Sequence, residues 1–445
     1  MSRKKIYDND PLYTVLRLWS DWGIRYSYRK IEVHGEEKLP KDGALLLTPN
    51  HCNTLMDALV ILRANKGPTV FGARADLFNS PFIAKLMFFM RILPMVRQRD
   101  GLRNVLKNKD TQETIVETLE NGVRFCMYPE GTHRTKHSLR ALGKGAFRAA
   151  LAANEKFGNE KPVYIIPTGI EYGDYFRYHS SSLVNYGDAI NVTEFVKHAD
   201  PEANEAQLIN ALSKELAQKM SKQFTFIKDD ENYDAKWALT KILAIVDRKK
   251  GYGEWGTNLY NDMERNRSIV EKIEKACEEH PEEMAGLMDD VMDFEKERNR
   301  RKVSIYAFKK MKSPVAHAIG KGFAALVGLP YFLFSAIASL PMWAAGEIVR
   351  GKIRDKAFGN TVSFGMKLGI GPLLFIIYAA LAFCFAPWWL ATALLALFLP
   401  SYGYFYDYIE GFRRFLSEIR LLSNKKLWKK FKHINKDFKK LTSNN

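Results

Sequence analysis

Three residues in the stretch ALLLTPNHCNTLMDALVIL can do chemistry together: Asn50, His51 and Asp57. The apolar run before them reads as a strand and the run after them as a helix. The histidine therefore falls in the turn at the carboxyl end of a strand, where α/β enzymes gather catalytic groups. An aspartate early in a helix can accept from one imidazole nitrogen, fix the tautomer and leave the other nitrogen as a general base. Such a pair is common in isolation, because acidic residues suit first turns. A second stretch adds to it. In FCMYPEGTHRTKHSLRALGKGAFRAAL, Pro129, Glu130, Gly131 and Thr132 sit in a strand-to-loop turn, followed by Arg134 and Lys144. Glycine permits close backbone approach, a threonine hydroxyl and backbone N–H groups can bond phosphate, and arginine pairs with it bidentately. RILPMVRQRDG places Arg97 and Arg99 just past an apolar run, and IIPTGIEY closes another with Pro167 and Gly169. Cys52 reads as small packing rather than a nucleophile, and His133 and His137 as solvated loop residues.

The elements that must position these groups are short apolar runs at 44–48, 69–73, 123–128 and 163–170, separated by helical stretches. That alternation predicts an α/β domain with a mostly parallel sheet flanked by helices. Ahead of it, residues 11–28 carry Leu12, Val15, Leu16, Leu18, Trp19 and Trp22 among charges, the pattern of an amphipathic helix on a surface. Beyond it, the Glu-, Lys- and Met-rich stretch of 201–314 predicts a helical connector with little strand tendency.

Charge separates the chain further. The whole protein carries a net charge of +17, yet from residue 301 onward 22 Lys and Arg stand against 6 Asp and Glu, leaving the first 300 residues nearly neutral. The same third holds two uncharged stretches, 25 residues at 322–346 and 39 at 368–406. Roughly 20 apolar residues suffice for a helix to cross a bilayer, so basic flanks beside such runs point to an anionic membrane surface. Residues 368–406 predict a hairpin turning at Pro387. Residues 322–346, interrupted by Pro330 and Pro341 and basic on both sides, predict a re-entrant segment that keeps every basic cluster on one side. Residues 407–441 predict a basic amphipathic tail facing the membrane, divided near Ser423 and Asn424. No RNA-binding aromatic signature or helix-turn-helix pattern appears, so nucleic acid is not an expected partner. Four cysteines without a CxxC pair exclude a disulfide framework or zinc site, and the N-terminus lacks the apolar core of a signal peptide.

Taken in order, the Asn50-His51 to Asp57 block, Pro94 to Arg97, Tyr128 to Thr132 with Lys144-Gly145, and Ile166-Pro167 resemble the glycerolipid acyltransferase superfamily over residues 31–191. The resemblance implies an acyltransferase fold and an enzyme that moves a fatty acyl group from acyl-CoA or acyl carrier protein to 1-acyl-sn-glycerol 3-phosphate. No bound cofactor and no metal are implied. His51 would act as base with Asp57 orienting it. Arg97, Arg134, Lys144 and Arg99 would hold the acceptor phosphate, with Glu130, Gly131 and Thr132 shaping its cradle. Five residues separate His51 from Asp57 where the common pattern has four. That spacing resembles the glycerol-3-phosphate acyltransferase subgroup and keeps glycerol 3-phosphate as an alternative acceptor. It also predicts Asn53 as the helix N-cap and Asp57 on the second helical turn. A non-catalytic lipid-binding membrane scaffold is the competing class. The expected organisation is an amphipathic helix at 1–30, the acyltransferase domain at 31–196, the connector at 197–313, membrane segments at 314–406 and the tail at 407–445. The catalytic domain would face the cytoplasm, at the inner membrane in a bacterium.

Overall fold

The computed structural model describes residues 4–95, 105–247, 258–309 and 313–442. It divides into two units, the first made of 1–25, 30–175 and 182–226, the second of 227–445 with two short stretches, 26–29 and 176–181.

In chain order the elements up to residue 226 are α1 (Pro11–Ser27), β1 (Tyr28–His34), β2 (Ala44–Pro49), α2 (Leu55–Ala64), β3 (Thr69–Arg74), α3 (Pro81–Phe89), β4 (Ile92–Met95), α4 (Val105–Glu120), β5 (Arg124–Cys126), α5 (Gly145–Phe157), β6 (Val163–Tyr172), β7 (Ser180–Tyr186), β8 (Ile190–Asn191), α6 (Val192–Lys197) and α7 (Glu205–Met220). The strands form one sheet in the order β1-β7-β6-β2-β5-β3-β4, with β8 beside β6. β2, β3, β5 and β6 fall on the four predicted runs. β2 is buried at all six positions, as a continuous apolar run must be when helices cover both sheet faces. It lies parallel to β5 and β6, with Leu46 opposite both Phe125 and Ile165. The carboxyl ends of β2, β5 and β6 therefore open on the same edge, so the loops that follow them meet there.

The core under the sheet joins Leu46, Phe125, Phe147 and Ile165 with Leu212, Leu216 and Met220 of α7. α7 thus belongs to the first unit, although the sequence assigned it to the connector. Gly169 on β6 explains how the segment after α7 closes down: a Cβ there would lie 2.1 Å from the Gln223 carbonyl oxygen. Glu171 then accepts from the Thr225 N–H at 2.8 Å and its hydroxyl at 2.7 Å.

The second unit contains α8 (Tyr233–Asp247), α9 (Leu259–Glu279), α10 (Pro281–Arg300), α11 (Pro314–Lys352), α12 (Gly359–Phe385), α13 (Trp388–Leu422) and α14 (Lys425–Thr442). Among the described residues α11, α13 and the stretch 356–385 that holds α12 are long and apolar enough to cross a membrane. They are tied by tyrosines: Tyr404 donates to the Gly328 carbonyl at 3.1 Å and Tyr408 to that of Ala325 at 2.9 Å. Their outer faces leave Ile337, Phe385 and Trp388 exposed. Two expectations change. The 322–346 segment is not broken at its prolines, as the re-entrant expectation had it: α11 runs for 39 residues through Pro330 and Pro341. The tail does break at Ser423 and Asn424, but α14 does not offer its apolar face to a bilayer. Leu427, Phe431, Ile434 and Phe438 are buried in a core with Phe294, Phe308 and residues of α8 and α9. The stripe that predicts a membrane-facing helix is the same stripe a bundle needs.

Candidate active site

The turn between β2 and α2 is fixed from both ends. Asn50, buried, mimics a strand pairing: its carbonyl oxygen accepts from the Ile170 N–H at 2.6 Å and its amide donates to the Ile170 carbonyl at 3.1 Å. At the other end the Asp57 carboxylate, with no exposed side-chain surface, gathers the loop around itself. One oxygen accepts from the backbone N–H groups of Cys52 at 2.8 Å and Asn53 at 2.7 Å and pairs with His51 Nδ1 at 2.7 Å. The other accepts from the Tyr172 hydroxyl at 2.8 Å and the Cys52 thiol at 3.6 Å.

This arrangement corrects the expected capping. α2 begins at Leu55, its N-cap position is Thr54 with no side-chain cap, and Asp57 lies in the first turn, not the second. Asn53 does not cap with its side chain: the Met56 N–H that such a cap would serve pairs with the Asn53 backbone carbonyl at 3.0 Å. The added residue is absorbed before the helix, where Thr54 adopts a left-handed φ of 51°, a conformation costly for a branched side chain.

His51 is held on three more sides. Its N–H donates to Glu130 Oε1 at 2.9 Å, its carbonyl accepts from the Arg134 N–H at 2.9 Å, and its ring stacks on Tyr128 with centroids 4.3 Å apart. His133 packs edge-on to the same ring at 5.6 Å. With Nδ1 committed to Asp57 and the side chain 18% exposed, Nε2 is the ring nitrogen left for a substrate. A neutral imidazole in this tautomer can accept a proton there.

Glu130 is a clamp. Its second oxygen accepts from the Arg140 N–H at 3.0 Å, so one carboxylate ties the histidine turn to the loop after β5. Burial raises its pKa above the ordinary carboxyl value, opposed by those N–H groups. Gly131 takes φ 67°, the left-handed region that favours glycine, and returns its N–H to the Tyr128 carbonyl at 3.1 Å. Thr132 follows, half-buried, in the same loop. Arg134 donates to the Ser138 hydroxyl at 2.7 Å. Lys144 stands exposed at the N-cap of α5. Arg97 and Arg99 lie outside the described residues.

Two side chains differ from expectation. His137 is buried, not solvated, with its ring 3.3 Å from the Tyr175 hydroxyl, and His133 is half-buried against His51. Tyr172 and Tyr128, which touch Asp57 and His51, are given no such role by the sequence, which names Tyr128 only as the start of the Tyr128 to Thr132 block. Tyr172 ends the quoted IIPTGIEY run, but nothing in that run indicates an inward hydroxyl. Cys52 is buried, and burial with the neighbouring Asp57 charge pushes its thiol well above the ordinary value, the opposite of a nucleophilic cysteine.

Residues 30–171 match the Acyltransferase family. Over 198 residues the chain is 27% identical to a chloroplastic 1-acyl-sn-glycerol-3-phosphate acyltransferase of Arabidopsis thaliana, covering 43% of this chain and 51% of that one. A chloroplastic enzyme of the same name from Brassica napus is 26% identical over 176 residues, covering 39% and 46%. The chain thus spans about half the length of the curated relatives it matches. Among solved structures it is similar to the 1-acyl-sn-glycerophosphate acyltransferase of Thermotoga maritima, at 16% identity and a TM-score of 0.35, over 47% of this chain and 79% of that one.

Proposed function

We propose that this protein, whose residues 30–171 match the Acyltransferase family, is a glycerolipid acyltransferase that esterifies the free hydroxyl of 1-acyl-sn-glycerol 3-phosphate with a fatty acyl group carried as a thioester of coenzyme A or acyl carrier protein. One observation carries the reading: His51 Nδ1 lies 2.7 Å from the buried Asp57 carboxylate, which leaves Nε2 at the edge where the loops after β2, β5 and β6 meet.

Nε2 takes the hydroxyl proton as the oxygen attacks the thioester carbonyl. Backbone N–H groups stabilise the oxyanion of the tetrahedral adduct. Its collapse breaks the carbon–sulfur bond, the imidazolium returns the proton to the leaving thiolate, and the ester remains. Arg134 and Lys144, with Arg97, are assigned to the acceptor phosphate. Glu130 acts indirectly, by fixing the loop that presents the histidine. Exposed Leu12, Val15 and Leu18 on α1 and Phe82 on α3, with the three apolar helices of the second unit, support action at a membrane surface; the cytoplasmic side is assigned to the catalytic domain from the basic flanks of the apolar segments. Glycerol 3-phosphate stays the alternative acceptor: the added residue is taken up before α2 and leaves the His–Asp contact intact, so the same chemistry serves either hydroxyl.

The test is purified protein with one labelled acyl thioester and a panel of acceptors, read by thin-layer chromatography. Label should appear in the diacyl product of 1-acyl-sn-glycerol 3-phosphate. Transfer to glycerol 3-phosphate alone would move the reading to the sn-1 reaction, and binding of lipid without transfer to any acceptor would make the protein a scaffold.

A further inference from the structure

Where α11 ends and α12 begins, the second unit holds a cavity of about 350 Å³ that the acyl-transfer reading does not use. Its walls divide by chemistry. Arg350 and Lys356 supply cations, Ser363 a hydroxyl, and Phe176, Phe358 and Tyr406 apolar or aromatic surface. The one carboxylate in the lining, Asp355, is engaged as the cap of the turn that opens α12, accepting from the Ala357 N–H at 2.9 Å. Arg350 is held in place by Glu347 and the Ser363 hydroxyl, so its guanidinium is pre-positioned. Lys356 is exposed. The connecting sequence RGKIRDK carries four cations against one aspartate.

A second observation lies one helical turn further along α12. Lys367 is 8% exposed and its ammonium is surrounded by aromatic rings, 4.5 Å from the centroid of Tyr26, 5.8 Å from Tyr402 and 5.9 Å from Tyr178. Among the described residues no carboxylate pairs with it. Tyr178 also lines the cavity, so a buried amine that no carboxylate of the described residues balances lies behind the cavity wall. Buried ammonium groups are costly unless compensated, and an anion in the cavity would supply the compensation.

The surroundings distinguish which anion. The cavity sits at the end of two helices whose flanks expose Trp343 and Ile348 on α11 and Leu373 and Ile376 on α12, so a ligand gripped by its phosphate could run apolar chains along them. A soluble phosphate would use only the cations. We propose that this cavity holds the phosphate-bearing headgroup of one anionic membrane phospholipid per chain, with its acyl chains along α11 and α12. The site is independent of the acyl-transfer reading and can stand or fall without it.

The experiment is native mass spectrometry of the full chain in zwitterionic nanodiscs doped with an anionic phospholipid, counting retained lipid. Wild type should keep one anionic lipid per chain. Arg350→Gln and Lys356→Gln should each weaken retention about tenfold, the loss of one charge-assisted contact. Lys352→Gln and Arg354→Gln, in the same RGKIRDK sequence but outside the lining, should change it less than about twofold. Because Arg350 also pairs with Glu347, its variant counts only if its melting temperature is preserved; Lys356→Gln breaks no contact of that kind and decides alone if it is not. Equal losses at all four positions would mean a diffuse basic surface and overturn the proposal. Displacement of the lipid by millimolar inorganic phosphate would overturn it in favour of a soluble anion, and retention of no lipid by wild type would overturn it outright.

Discussion

Two histidine–aspartate pairs of nearly the same length, each joining residues on different elements, lie in different units of the protein. His51 Nδ1 meets Asp57 at 2.7 Å in the first unit, and His179 Nδ1 meets Asp407 at 2.9 Å in the second. Distance does not separate them, but their surroundings do. Asp57 is buried and its remaining partners are neutral donors, two backbone N–H groups, a tyrosine hydroxyl and a thiol. Its charge acts on the imidazole undivided. Asp407 is shared with the Arg29 guanidinium at 2.5 Å, so much of its charge is already compensated before the histidine is counted. His51 lies in a loop at the sheet edge with Nε2 uncommitted. His179 lies flat over Gly403, whose added Cβ would come within 3.6 Å of the ring. On the proposed function the first pair moves a proton, whereas the second holds chain together.

The sharpest way to break this contrast is to remove each imidazole. His51→Ala should lower acyl transfer by about 10²–10⁴-fold, the range for losing a positioned general base, with an unchanged melting temperature. An active variant would end the assignment. Asp57→Asn should cost less but still about 10²-fold, since the amide must turn its NH₂ toward one of the donors that the carboxylate accepts and can no longer hold the tautomer.

Glu130→Gln tests the scaffold behind the histidine. One of the two N–H groups it serves would then face an amide donor, which should destabilise by about 1–3 kcal/mol and lower transfer through misplacement of His51. The pH dependence has a definite sign. Burial holds the carboxyl above the 4.5 of a free glutamate, so the folded chain keeps that proton to higher pH than the unfolded one. Its contribution to stability is complete below about 4.5 and declines as pH rises through the raised value. The stability gap between wild type and Glu130→Gln should therefore narrow with rising pH across that window. A gap that widens would mean the N–H groups outweigh burial.

How far the sequence could see follows from what kind of contact each feature makes. The runs that became β2, β3, β5 and β6 are buried on both faces and so read as continuous apolar segments. β1 is half-exposed, with the burial of a sheet edge, and β4 is four residues long; neither leaves a pattern strong enough to read. His51, Asp57 and the Glu130-Gly131 turn were legible because they are local, with residue type and spacing stating the chemistry. Tyr172 was not, because it reaches Asp57 from 115 positions away, across the pairing of β2 with β6. The Asn53 cap was misjudged because the turn serves the Met56 N–H with the Asn53 backbone carbonyl rather than its side chain, a choice of backbone path that residue type does not state. For α14, periodicity identifies an apolar face and cannot say whether protein or lipid covers it. Pro330 and Pro341 misled in the opposite direction, since in a helix packed among others a proline need not end it.

A smaller effect separates the two pairs from the side of their supporting contacts. Tyr172→Phe removes one of the donors to Asp57, so transfer should fall about three- to tenfold, measured as kcat with KM for the acceptor unchanged. A rise in KM instead would place Tyr172 with substrate rather than behind the aspartate.

The smallest effect belongs to His179. Its backbone adopts φ 62°, a left-handed conformation that costs a Cβ-bearing residue roughly 1–2 kcal/mol and glycine much less. His179→Ala keeps that cost and loses the contact to Asp407, whereas His179→Gly loses the contact and relieves the cost. The glycine variant should therefore be the more stable of the two in detergent, by about 0.5–1 kcal/mol after the extra freedom of its unfolded chain is counted. Both should transfer acyl groups within about twofold of wild type, because Asp407 keeps Arg29. If either loses activity tenfold while melting normally, the second pair also acts on substrate, and compensation by Arg29 does not distinguish a structural dyad from a catalytic one.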